Sequence, residues 1–182
     1  MSSPPFTNME LDHRQPTAIE PARNLEAWLD AEWQRLWLAV ESRPWRSLAL
    51  IPAAEGASID FTLIIAMTLS RTGMVHLGSS IQIADATQVS LSQLSAFSNE
   101  VRRCTSNGQR LLVALPPTKE SAVTTAIAQM VDVALLCVLS NRMSSAQAKR
   151  TLELVGPARF LGSAIFHPNQ INPKPAPGSV NR

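Results

Sequence analysis

The sequence predicts an α/β protein: a doubly wound, mostly parallel sheet with helices on both faces, in the three-layer, Rossmann-like manner. Two observations carry that prediction. From Ser47 onward the chain shows short, uninterrupted apolar runs such as Leu111-Leu-Val-Ala-Leu115, the pattern of strands buried on both faces of a parallel sheet. Between these runs lie longer stretches with helix start and stop signals, so strand and helix alternate.

The runs place strands at Ser47–Ile51, Met74–Gly78, Arg110–Leu115, Val133–Leu139 and Arg159–Phe166. Ahead of them Leu25, Trp28, Leu29, Trp33, Leu36, Trp37 and Val40 recur at spacings of three and four. That spacing predicts an amphipathic helix over 24–42, with Asn24 as its cap and Pro44 beyond its end. Ser58 is placed to cap a very apolar helix that stops at Gly73. Ser90 with Gln93 and Ser144 with Gln147 have capping-box spacing, and Gly156-Pro157 closes the last helix. Residues 1–23 and 168–182 carry scattered prolines and no apolar periodicity, so they read as flexible tails. A chain of 182 residues then holds one domain, 24–167, around one core.

Composition excludes several function classes. No apolar run approaches the roughly 20 residues of a bilayer crossing, and the first residues lack a basic region followed by an apolar one, so a cytoplasmic address is expected. Cys104 in a polar stretch and Cys137 in an apolar run fit neither a disulfide framework nor a zinc site. With a formal charge of +2 and basic residues scattered apart from Arg102-Arg103 and Lys149-Arg150, no nucleic-acid partner is expected. His76 and His167 have no acidic or cysteine neighbour at ligand spacing, so no metal is expected. Ser58 lacks the G-x-S-x-G surroundings of a nucleophile and reads as a helix cap.

In a doubly wound sheet, ligands bind beyond the carboxyl ends of the strands, which directs attention to residues 52–57, 78–85, 116–119 and 140–143. The first of these, within Leu50-Ile-Pro-Ala-Ala-Glu-Gly-Ala-Ser-Ile59, resembles the phosphate-binding loop of the bacterial tyrosine kinases of capsular and exopolysaccharide synthesis. Those enzymes are related to MinD-like and ParA-like P-loop ATPases, and their loop reads roughly S-A-x-P-G-E-G-K-[ST]-[ST]. On that register Ala54 stands for the first loop glycine, Glu55-Gly56 are kept, Ala57 replaces the lysine and Ser58 takes the magnesium-ligand position. Val75-His-Leu-Gly-Ser-Ser80 aligns with V-L-L-[IV]-D-x-D, so Gly78 and Ser80 fall at its two aspartates. Leu112-Val-Ala-Leu-Pro-Pro117 resembles I-I-D-T-P-P, with Ala114 at the Walker-B aspartate. Val131-Asp-Val-Ala-Leu-Leu-Cys-Val138 resembles A-D-G-V-[IL]-L-V-V, and Phe160-Leu-Gly-Ser-Ala-Ile-Phe166 resembles V-L-G-V-V-L-N with Phe166 at the base-contacting asparagine. Upstream, Glu32 and Arg35 match the first two positions of the ring-forming E-x-x-R-x-x-R helix, and Leu38 stands at the third.

The resemblance spans residues 25–167 and implies the P-loop fold. It also implies lost chemistry: a site without the lysine lacks the cation for the β- and γ-phosphates, and one without its aspartates cannot hold magnesium. Tyrosine is absent from the sequence, so phosphorylation of a tyrosine tail is impossible. The expectation is a pseudoenzyme with no cofactor, acting by protein contacts in surface-polysaccharide synthesis or export. Its implied partner is an inner-membrane chain-length regulator or another export or synthase component, which would bring it to the membrane periphery.

Core packing is the simpler account of Trp28, Trp33 and Trp37. Because Glu32, Arg35 and Leu38 share their helix, the same segment is also a candidate interface in a homo-oligomer. Two alternatives stay open. One is an enzyme using Glu55, Asp60, Asp85 or Lys119 in unconventional roles; the other is a MinD-like or ParA-like positioning scaffold.

Overall fold

The computed structural model describes residues 30–53, 60–140 and 145–167. Its sheet has five strands, β1 (Ser47–Pro52), β2 (Gln82–Asp85), β3 (Leu111–Ala114), β4 (Val133–Leu139) and β5 (Phe160–Phe166). They lie in the order β2-β3-β1-β4-β5, and every pairing is parallel. Parallel neighbours need crossovers, and helices supply them: α2 (Asp60–Leu77), α3 (Leu94–Ser106), α4 (Ala122–Met130) and α5 (Ser145–Val155). A further helix, α1 (Ala31–Val40), precedes the sheet.

The direction of each crossover decides its face. The step from β1 to β2 runs one way across the sheet, whereas those from β2 to β3, β3 to β4 and β4 to β5 run the other way. Right-handed connections therefore put α2 on one face and α3, α4 and α5 on the opposite face. Two apolar clusters match. One joins Trp33, Trp37, Phe61, Ile65 and Leu69 of α1 and α2 to Leu48, Leu50, Leu112 and Leu135. The other joins Val101, Val123, Ile127 and Val155 to Ala49, Ile51, Val113 and Leu136. Successive residues of β1, β3 and β4 alternate between the clusters, as the two-residue period of a strand requires.

The second strand differs from the sequence expectation. Met74–Gly78 is not a strand: α2 continues to Leu77, and Gly78, at φ +66°, accepts the left-handed conformation of a helix end while its amide donates to Met74 O at 2.9 Å. Gly73, expected as a stop, lies inside the helix. A Cβ there would come within 2.4 Å of both Trp37 and Ile81, so the glycine permits close packing of α1 on α2. His76 accordingly sits exposed in the last turn of α2, not on a buried strand.

α1 is capped by Asp30, whose carboxylate accepts from Glu32 N at 2.9 Å. The expected cap Asn24, with Leu25, Trp28 and Leu29, lies outside the described residues, as do Ser58 and Ser144 and both expected tails. Ser90 and Gln93 do form the expected capping box, and Gly156, at φ +101°, follows α5 as expected. No helix among the described residues is long and apolar enough to cross a membrane.

Candidate functional site

Because β1 leads to the α2 face while its neighbours β3 and β4 lead to the opposite one, the crevice for a ligand lies at the carboxyl ends of these central strands. The register places Asp85, Ala114 and Leu50 side by side across β2, β3 and β1. Ala114 and Leu115 are fully buried. The Ala114 carbonyl accepts from Ala86 N at 2.9 Å, and the Leu115 amide donates to Leu50 O at 3.1 Å. Two helices tie down the loop after β3. Thr62 of α2 donates its hydroxyl to Leu115 O at 2.9 Å, and Thr124 of α4 donates to Pro116 O at 3.1 Å, both in buried positions. Backbone polar groups that a ligand would otherwise meet are thereby satisfied inside the protein.

The loop residues Ala54, Glu55, Gly56, Ala57 and Ser58 lie outside the described residues. Ala114 stands at the end of β3, where the sequence places it. Gly78 and Ser80 do not: both precede β2 and so lie toward the amino-terminal end of the strands. The residue that does end β2 is Asp85. Its carboxylate accepts from Thr87 N at 2.9 Å and from the Thr87 hydroxyl at 2.6 Å, within an exposed turn. With β2 in its observed place, Ile81-Gln-Ile-Ala-Asp85-Ala-Thr87 falls on the V-L-L-[IV]-D-x-D pattern, keeping the first acidic position and placing Thr87 at the second. The signal was in the sequence, masked by the apolar end of α2.

For a magnesium triphosphate, the described strand ends offer one carboxylate, that of Asp85. The segment 52–60 contains no lysine or arginine, a buried methyl group ends β3, and the Asp85 carboxylate already holds Thr87. Lys119 and Arg150 line a cavity beside Pro52 and Ala53, but its volume of about 20 Å³ suits roughly one water rather than the several hundred Å³ of a ligand pocket. Asp60 lies exposed in the first turn of α2. No group of three His, Cys, Asp or Glu side chains among the described residues could hold a metal ion. Cys137 is buried in the core, and burial pushes its thiol well above the ordinary range; it is therefore no nucleophile.

Solved structures give the fold a counterpart. The kinase domain of Escherichia coli tyrosine kinase ETK superposes with a TM-score of 0.55 at 11% identity, covering 72% of this chain and 71% of that one. The fold is that of a bacterial tyrosine kinase domain. The BceF tyrosine kinase domain superposes at 0.51 with 12% identity over 73% of this chain and 72% of its own. The chimerical protein CapA2B2 does so at 0.51 with 14% identity over 74% and 82%. No protein-family model matches the sequence, and no curated protein matches it.

A second candidate surface is α1. Of the expected interface residues, Trp33 and Trp37 are 5% and 1% exposed and belong to the core. Trp33 packs on Phe166 with ring centroids 5.5 Å apart, and Trp37 meets Trp45 edge-on at 6.2 Å. Trp28 lies outside the described residues. What α1 presents to solvent is Glu32, Arg35 and Leu38 at spacings of three, with Leu38 63% exposed. This splits the expected surface, because residues three apart share a face whereas the tryptophans point the other way.

Proposed function

We propose that this chain is a non-catalytic relative of the bacterial tyrosine kinases whose fold it has, and that it works by protein contact in surface-polysaccharide synthesis or export. One observation carries the reading: the strand that should present a magnesium-binding aspartate ends in the fully buried Ala114, whose neighbours across the sheet are Leu50 and a single carboxylate, Asp85. Support comes from a loop sequence without a cation and from a chain without tyrosine. The α1 surface of Glu32, Arg35 and Leu38 provides a contact face, and a cytoplasmic segment of an inner-membrane polysaccharide component is the proposed partner. The described structure and the comparisons support the fold; the partner and the setting come from the resemblance.

Asp85 favours one rival reading, an enzyme that keeps a single carboxylate at the end of β2. ADP release in the presence of ATP and magnesium separates the two. The proposal expects release at the buffer background in the wild type. Release above background that vanishes in Asp85→Asn would instead establish the enzyme reading.

A further inference from the structure

The two edge strands of the sheet are protected very differently. β2 has four residues, with Gln82 and Asp85 exposed, and so follows the usual rule that an edge is kept short and charged against unwanted pairing. β5 has seven residues, Phe160-Leu-Gly-Ser-Ala-Ile-Phe166, with no charge and no proline. It pairs with β4 alone among the described residues, so no other described strand takes up its outer row of amides and carbonyls. Its register shifts from Ala134↔Phe160 to Leu135↔Gly162, leaving Leu161 as an extra residue, and the strand from Gly162 to Phe166 is regular. Ile165 is 65% exposed. It borders an apolar groove of about 370 Å³ formed with Val138, Leu152, Phe160 and Ser163.

We propose that β5 pairs antiparallel with β5 of a second copy of this chain, about a two-fold axis at Ala164, so that two five-stranded sheets continue into one. Directly opposed residues of an antiparallel pair lie on the same face. About Ala164, Ser163 opposes the partner's Ile165, Gly162 opposes the partner's Phe166, and Ala164 opposes itself. Each bulky residue thus meets a small one, and both grooves next to Ser163 receive an exposed isoleucine. An axis at Ser163 would instead oppose Leu161 and Ile165, which the register shift leaves on different faces. A self-complementary patch of this kind closes as an isologous dimer, and no like charges meet within the paired segment. The inference is independent of the nucleotide edge.

Sedimentation equilibrium of the full chain tests this, together with Ile165→Lys, Leu38→Glu and, in a Cys104→Ser background, Ala164→Cys. The wild type and Leu38→Glu are expected to be dimers. Ile165→Lys, at an exposed position, should raise the dimer dissociation constant by about tenfold or more while the far-ultraviolet circular dichroism stays that of the wild type. Ala164→Cys should form an interchain disulfide on mild oxidation, because opposed Cα atoms about 4.5–5.5 Å apart lie within disulfide reach. A monomeric wild type, a dimer untouched by Ile165→Lys, a dimer broken by Leu38→Glu, or a dimer that Ala164→Cys fails to cross-link would each overturn the proposal.

Discussion

The two ends of this sheet use charge in opposite ways. At the amino-terminal end a charged residue stands immediately before each of four strands: Arg46 before β1, Arg110 before β3, Asp132 before β4 and Arg159 before β5. Each is engaged within the protein. Arg110 grips the Glu41 carboxylate with two nitrogens, at 2.5 and 3.1 Å, and lies 3.7 Å from the centre of the Trp45 ring. That stacking serves the buried Nε of Arg110, which has no hydrogen-bond partner. The Asp132 carboxylate accepts from the amides of Arg46 and Ser47 and from the Ser47 hydroxyl at 2.8–3.0 Å. Arg46 and Arg159 donate to Thr105 O and Val131 O, each at 2.9 Å. At the carboxyl-terminal end, by contrast, β1, β3, β4 and β5 end in Pro52, Ala114, Leu139 and Phe166, and Asp85 is the one acidic strand end. In a nucleotide-binding relative the second end would carry the fixed charges. Here the four charged residues that stand immediately before the strands fasten them to helices and loops.

Substitutions at the two ends should separate accordingly. The largest effect is expected where both charge and aromatic packing converge: Trp37→Ala, which empties the space under α1 and beside Arg110, should lower unfolding stability in urea by about 3–5 kcal/mol. Arg110→Ala leaves Glu41 half-buried without its partner and bares Trp45, for an expected loss of about 2–4 kcal/mol. Asp132→Ala removes three acceptor bonds at a partly exposed position and should cost about 1–3 kcal/mol. Asp85→Asn, at the opposite end in an exposed turn, should change stability by less than about 1 kcal/mol. If Asp85→Asn proved as damaging as Arg110→Ala, the contrast between the ends would be lost.

Asp132 also gives the contrast a pH signature. Burial raises its carboxyl, but the hydrogen bonds from Arg46 and Ser47 and the Arg46 charge outweigh this and hold it below its ordinary value. A carboxyl depressed in the folded state stabilises above its unfolded pKa, near 3.8, and that contribution is lost as pH falls through the folded value. Acid unfolding of Asp132→Asn should therefore show a smaller loss of stability below about pH 4 than the wild type. Equal acid sensitivity in the two proteins would assign the acid limb to other carboxylates.

Much of the fold was legible because the central strands are buried on both faces. β1, β3 and β4 each read as a continuous apolar run, the edge strand β5 was legible because it carries no charge, and the structure moves the ends of these four by a residue at most. β2 was not legible for the opposite reason. It is an edge strand with the exposure pattern of Gln82-Ile-Ala-Asp85, whereas the preceding Met74-Val-His-Leu77 is apolar without being buried. Helix α2 is apolar on most sides, so its period fades, and Gly73 imitates a stop while serving the contact with Trp37. That single shift displaced the acidic position from Asp85 to Gly78. Trp33 and Trp37 do share one face of α1, but periodicity identifies a face and not its neighbour. Only packing assigns Trp33 and Trp37 to the core and leaves Glu32, Arg35 and Leu38 outside.

Isothermal calorimetry of the full chain with ATP, run with and without magnesium, addresses the central claim most directly. The account expects no magnesium-dependent heat of binding in the micromolar range, in the wild type and in Asp85→Asn alike. Micromolar, magnesium-dependent binding that Asp85→Asn weakens would contradict it, since the carboxyl end of the sheet would then hold the charges a nucleotide requires.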